Sequence, residues 1–149
     1  LKLVSDTGFP GMKVLEFAFD DTEDSAYLPH KYGRNCVVYT GTHDNETLAG
    51  WWKSITPAEQ KMARDYLCDQ YTPASKLGKS FISLILRSRA ALCVIPVQDY
   101  MGLDNRSRIN KPSTVGTNWR WRLGKNDLTE DLKDEIRGMT LRYGRMNWG

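Results

Sequence analysis

With 149 residues, 40% of them hydrophobic, the chain has the length of one domain and enough apolar content to bury a core, which excludes a disordered polyelectrolyte. Lys and Arg number 21 against 18 Asp and Glu, and the formal charge of +3 is scattered along the chain, so no nucleic acid partner is expected. Three cysteines without a close CxxC, together with two histidines, leave too few ligands for a structural zinc site, and Cys36 and Cys93 read as small buried hydrophobes of a reducing compartment.

The breaker run GFPG introduces Met12 to Phe19, MKVLEFAF, which reads as a short buried strand. A polar, turn-rich passage, DDTEDSAYLPHKYGRN, leads to CVVYTGT, a second apolar strand rich in β-branched residues. Thr56, Pro57 and Glu59 carry the marks of a helix start: a capping residue, a proline in the first turn and a glutamate three positions after the cap. That helix is expected to run through AEQKMARDYLCDQY. A second helix is expected over Ala74 to Ala90, where Leu77, Phe81, Leu84, Ile85 and Ser88 recur at spacings of three and four. It feeds into ALCVIPVQDY, a third strand ending at or soon after Pro96. Beyond a long loop, Gly102 to Asn118, and the cluster NWRWRL, a last amphipathic helix is expected from Thr129 to Tyr143. Its apolar stripe is Leu132, Ile136, Met139 and Tyr143. No run reaches the ~20 apolar residues of a membrane span and no secretory leader is legible, so a soluble intracellular protein without a membrane partner is the expectation.

Short buried strands alternating with helices mean βαβ units and a parallel sheet, an α/β fold. Parallel sheets are covered on both faces, and a closed barrel of this kind takes eight strands. With Leu1 in place of an initiator methionine, the chain is therefore expected to be the terminal part of a barrel, one partial domain over residues 1–149. Functional residues of such folds gather where strands run out. Each expected strand ends in a polar cluster, Phe19-Asp20-Asp21, His43-Asp44-Asn45 and Gln98-Asp99, and the three are expected to face one mouth. Tyr27 and His30, in the loop after the first strand, are expected near it.

The stretch TGTHDNETLAGWW, Thr40 to Trp52, carries the most chemistry. A lone aspartate at a strand end commonly caps the next turn or pairs with an arginine. Beside Asp44, however, Thr42, His43 and Asn45 supply donors and acceptors of the kind that grip sugar hydroxyls, and Tyr39, Trp51 and Trp52 supply flat apolar faces. A carbohydrate site is the favoured reading, with a core role equally open for one of the two tryptophans. Gln98 and Asp99 either touch substrate or hold the loop, and Asn110 either contacts a sugar or sets a turn before Lys111-Pro112. Trp119 and Trp121, alternating with Arg120 and Arg122, are expected to pack the barrel end, with one arginine anchoring a carboxylate.

The runs GFPGMKVLEFAF, YLPHKY, VVYTGTHDNETLAGWW, QDYMGLDNRSRIN and GTNWRWR, in that order, resemble the 4-α-glucanotransferases, called amylomaltase in bacteria and disproportionating enzyme in plants. The resemblance covers almost the whole chain. It implies a (β/α)8 TIM barrel of the α-amylase type that transfers α-1,4-glucan segments by a retaining double displacement, with no cofactor. The three expected strands would be strands six to eight. Asp44 matches the third of the family's three carboxylates, the transition-state stabiliser, and His43, Asn45 and Asn110 would bind substrate. In the oxocarbenium-like transition state, hydrogen bonds from the hydroxyls of the reacting sugar to Asp44 would strengthen as the ring distorts.

The family's nucleophile and acid/base precede GFPG, and neither Glu16, inside a strand pattern, nor Glu46, just after the Asp44 match, is expected to replace them. The isolated chain is therefore expected to transfer nothing, its partners being α-1,4-glucans and the upstream part of the same barrel. A non-catalytic glucan-binding fragment and a fragment that folds only with five further strands are the alternatives. The resemblance is compatible with bacterial cytoplasm or plant plastid.

Overall fold

The computed structural model describes residues 6–20 and 24–146. Three short strands, β1 (Gly11–Val14), β2 (Cys36–Tyr39) and β3 (Leu92–Val94), form one parallel sheet in the order β1-β2-β3. Met12 lies opposite Val37 and Val37 opposite Leu92, while Val14 lies opposite Tyr39 and Tyr39 opposite Val94, so these six side chains share one face. The other face presents Cys36 and Val38, both buried, to the helices.

The helices are α1 (Leu48–Ser54), α2 (Pro57–Leu67), α3 (Leu77–Leu86), the single turn α4 (Val97–Tyr100) and α5 (Glu130–Arg142). The capping box read at Thr56 is present: its side chain accepts from the Glu59 backbone N–H while the Glu59 carboxylate accepts from the Thr56 N–H. This reciprocal pair satisfies two of the donors that every helix start leaves over. Helix α5 begins at the cap expected for it, with Thr129 accepting from the Leu132 N–H. Arg145 closes the far end of α3, donating to the carbonyls of Leu86, Ser88 and Ala90.

The core lies between the helix-facing side of the sheet and helices α1 to α3. Leu77, Phe81, Leu84 and Ile85, the stripe read at spacings of three and four, are all buried. The Phe81 ring is the hub, with centroids 5.9 Å from Phe19, 5.3 Å from Trp51 and 5.9 Å from Trp52. Trp51 and Trp52 are thus core residues, and the expectation of a sugar platform there fails. The opposite side of the sheet stays open, with Met12 61%, Leu92 54% and Val94 38% exposed. A parallel sheet covered on one side only is an incomplete structure by the ordinary rule for such sheets.

The structure departs from the sequence reading at several points. The first strand stops at Val14 instead of Phe19, because Leu15, Ala18 and Phe19 recur at three and four positions, a helical period, and a 3-10 turn over Leu15–Phe17 buries them together. Helix α1, absent from that reading, is seven residues long and is capped by Thr47, whose side chain accepts from the Gly50 N–H. The third strand ends at Val94, and Pro96 starts the turn α4, so Gln98 and Asp99 sit on a helical turn. His30 lies away from the expected mouth: its ring stacks on Tyr66 of α2, in a groove shared with Arg87 and Arg89, which lead into β3.

Replacing Phe81 by alanine removes a ring that three other aromatics share. Phe81→Ala is expected to cost about 3–5 kcal/mol, as large aromatic truncations do, read as a lowered denaturation midpoint with tryptophan emission shifted toward that of exposed indole.

Candidate active site

Just beyond β2 the chain makes a tight turn in which Asn45 plays the part of a backbone. Its side-chain Oδ1 accepts from the Thr42 N–H at 3.0 Å and the Thr42 hydroxyl at 2.7 Å, and the Asn45 N–H donates to the Thr42 carbonyl at 3.1 Å. Polar Asx-type turns of this kind are what Thr, Asp and Asn at neighbouring positions favour. The turn leaves His43 and Asp44 at its tip, about half exposed, with His43 Nε2 3.4 Å from Asp44 Oδ1.

The loop after α4 grips that tip. The Asn110 side chain donates to Asp44 Oδ1 at 2.5 Å, and its backbone N–H donates to the His43 carbonyl at 3.1 Å. Arg108 donates from Nη2 to the Asp44 carbonyl at 2.6 Å and from Nε to the Asn110 carbonyl at 2.9 Å, and lies 3.7 Å from Glu46 Oε1. One oxygen of Asp44 is therefore held, while Oδ2 makes no hydrogen bond among the described residues. His43 and Asp44 stand on the rim of an open cavity of about 510 Å³ that the uncovered sheet face floors with Met12, Tyr39 and Val94.

Beneath the turn lie three further carboxyl groups. Asp99 is buried, accepting from the Thr40 hydroxyl at 2.6 Å and from the Leu48 N–H, the first of α1, at 2.8 Å. Burial holds its carboxyl above the usual carboxylate range despite those two bonds. Glu46 is tied up by the Asn105 amide at 2.8 Å and the Ser54 hydroxyl at 2.6 Å. Glu16 is 8% exposed, its Oε1 has no hydrogen-bond partner among the described residues, and a Cβ on Gly41 would stand 2.7 Å from that atom. Burial, followed by the nearness of Asp99 and Glu46, pushes its pKa up to about 9 against a hydrogen bond from Asn45 that works the other way. Glu16 is thus a neutral acid at physiological pH.

Of the residues selected from sequence, His43, Asp44 and Asn110 come together directly, whereas Asn45 sits behind them with its oxygen committed to the turn. Gln98 donates to the Ser107 carbonyl at 3.3 Å and so holds the loop. The first polar cluster does not reach this mouth: Asp20 lines a groove beside α2 with Glu59 and Tyr66, and Asp21 lies outside the described residues. The Trp/Arg run also departs from expectation. Trp119 is 57% exposed with its ring 5.2 Å from His43, and Arg122 donates to the carbonyls of Trp119 and Trp121 instead of anchoring a carboxylate. Sequence reasoning missed Arg108, although it stands two positions before Asn110 in RSRIN. Among the described residues no three His, Cys, Asp or Glu side chains converge as a metal site would require.

Residues 1–128 match glycoside hydrolase family 77, described as 4-alpha-glucanotransferase. The chain belongs to this family. It is 42% identical over 140 residues to the 4-alpha-glucanotransferase of Clostridium butyricum, covering 93% of this chain and 28% of that protein. The 4-alpha-glucanotransferase of Thermus thermophilus is 41% identical over 138 residues, covering 89% and 27%. Among solved structures, the amylomaltase of Streptococcus agalactiae in complex with acarbose superposes with a TM-score of 0.90 at 36% identity, over 98% of this chain and 29% of that one. The chain spans less than a third of the length of these relatives. Its small parallel sheet with helices is, in fold, a matching part of a family 77 enzyme.

Glu16 binds its proton more tightly folded than unfolded, so its contribution to stability is complete below its ordinary value of 4.5 and is lost as pH rises toward about 9. Glu16→Gln, which cannot ionise, is expected to be increasingly more stable than the native chain as pH is raised from 5 to 8. Denaturation midpoints of the two forms across that range check it, and a constant difference would contradict a neutral Glu16.

Proposed function

We propose that these residues are strands six to eight of a (β/α)8 barrel, in a single partial domain over residues 1–149, and that the complete protein is a 4-α-glucanotransferase. It transfers α-1,4-glucan segments to the 4-hydroxyl of an acceptor glucan or glucose by a retaining double displacement. The observation that carries the reading is the tip of the β2 turn, where Asp44 is oriented by Asn110 and Arg108 with one oxygen left for a ligand, at the rim of a cavity floored by uncovered sheet. The upstream part of the same barrel is the partner that covers Met12, Leu92 and Val94.

Asp44 acts as the transition-state stabiliser. Its oriented carboxylate accepts hydrogen bonds from hydroxyls of the sugar in the reacting subsite, and these strengthen as positive charge spreads over the anomeric carbon and ring oxygen. His43 and Asn110 hold substrate around it, and Asn45 contributes by setting the turn. A retaining displacement also needs a nucleophile and an acid/base roughly 5–5.5 Å apart. The carboxyl groups beside Asp44 are unsuited to both roles, because Asp99 and Glu46 have their oxygens committed and Glu16 is sealed under Gly41. Residues 1–149 alone therefore transfer nothing, and both missing groups come from the upstream segment.

The site of action is bacterial cytoplasm, or the plastid for a plant or algal protein. The related enzymes of Arabidopsis thaliana and Solanum tuberosum are described as chloroplastic/amyloplastic. No helix among the described residues is long and apolar enough to cross a membrane.

The test is glucose release from maltotriose by the chain alone, by the chain mixed with the upstream segment, and by the same mixture carrying Asp44→Asn. The expected result is no turnover alone, turnover on mixing, and a loss of roughly a hundredfold or more with the substitution. Turnover by the chain alone would sink the assignment of its carboxylates. Binding of maltooligosaccharide without turnover in either case would leave a glucan-binding fragment instead.

A further inference from the structure

Packing among the described residues does not account for the placement of Trp119. It is 57% exposed, whereas Trp51 and Trp52 are 6% and 8% exposed in the core. Its backbone is left-handed, with φ at 63°, a conformation that costs a bulky side chain steric energy and is adopted freely only by glycine. Gly102 and Gly116 take this conformation in the loops around it as glycines, and of the non-glycine residues that share it, Cys68, Ser113 and Trp119, the tryptophan is by far the bulkiest. Strain of this kind persists when the surrounding structure imposes it, and it gathers at ligand-binding positions.

The surrounding structure does impose it. The Trp119 N–H donates to the Ile109 carbonyl at 2.7 Å. Asn118 fastens the loop on itself, accepting from the Lys111 N–H at 2.9 Å and donating to the Thr114 carbonyl at 2.9 Å. Asn110, at the start of the same loop, is bonded to both His43 and Asp44. The loop therefore holds the indole in fixed relation to the pair, its ring centroid 5.2 Å from that of His43 and tilted by 37°. An indole presented to solvent beside hydrogen-bonding groups is the usual make-up of a site for a molecule with one apolar face and polar edges. A pyranose ring has that make-up: axial C–H bonds on its faces and hydroxyls around its rim.

We propose that Trp119 is an aromatic platform for a glucosyl unit adjoining the one held by His43 and Asp44, and that its strained backbone is retained to aim the indole there. This rests on the glucan reading of the Asp44 site. The platform is a binding and specificity element; it takes no part in bond breaking.

The experiment uses the full-length protein that carries this chain, with Trp119→Gly and Trp119→Phe, measuring Tm together with kcat and KM for maltotriose. Glycine removes the indole and relieves the left-handed strain, so Tm is expected to stay level or rise while KM rises about tenfold. Phenylalanine is expected to recover most of the KM, because it restores an apolar face. If Trp119→Gly leaves KM at the native value, the platform is overturned; so it is if glycine lowers Tm and phenylalanine restores Tm without restoring KM, the behaviour of a packing residue. A native protein that neither turns over nor binds maltotriose overturns the glucan reading itself, whereas an active native protein indifferent to both substitutions overturns the platform alone.

Discussion

The Asp99 carboxylate is the joint on which the candidate site depends. One oxygen takes the hydroxyl of Thr40, which directly follows β2, and the other takes the first N–H of α1. Everything that carries His43 and Asp44 lies between those two attachment points, so a single buried side chain from α4 fixes both ends of the turn. The geometry is costly. A carboxyl in that environment is desolvated, and its two hydrogen bonds offset the burial only partly. Replacing it by an apolar residue would leave a hydroxyl and a helix-terminal N–H without partners, which links the shape of the turn to the integrity of the core.

Around that joint the molecule has two kinds of surface. On the helical side, Phe81 gathers Phe19, Trp51 and Trp52 into a continuous core. On the other side the sheet is bare, and the same strand ends that floor the cavity beside Asp44 expose Met12 and Val94. The cavity and the unsatisfied side of the sheet are therefore one surface. Anything that covers the open face of the sheet also borders the cavity beside Asp44.

Much of this organisation is legible in the residues. The β-branched run CVVY, the cap at Thr56 with Glu59 and the stripe from Leu77 to Ile85 are local patterns, and local patterns survive into the structure. The family resemblance implies that Asp44 and Asn110 both face substrate, but not the hydrogen bond that joins their side chains. What escaped was of two sorts. Helix α1 is too short to show a period, and its two tryptophans suggested a surface role that burial contradicts. The contacts of Asp99 with Thr40 and Arg108 with Asp44 join residues 59 and 64 positions apart, and no spacing rule along the chain announces them. The 3-10 turn after β1 was visible as a change of period within MKVLEFAF, which a strand reading overrode.

Gly41 and Glu16 together restrict how this sequence can drift. A methyl group at position 41 would stand 2.7 Å from an acid oxygen that is already enclosed, and 3.0 Å from the Asn45 Cβ that shapes the turn. A larger residue at 41 must displace the far end of the buried Glu16 side chain, and the contact with Asn45 would remain even with position 16 shortened. The residues that follow two paired strands are thus coupled, since what position 41 can hold depends on what stands at 16 and at 45.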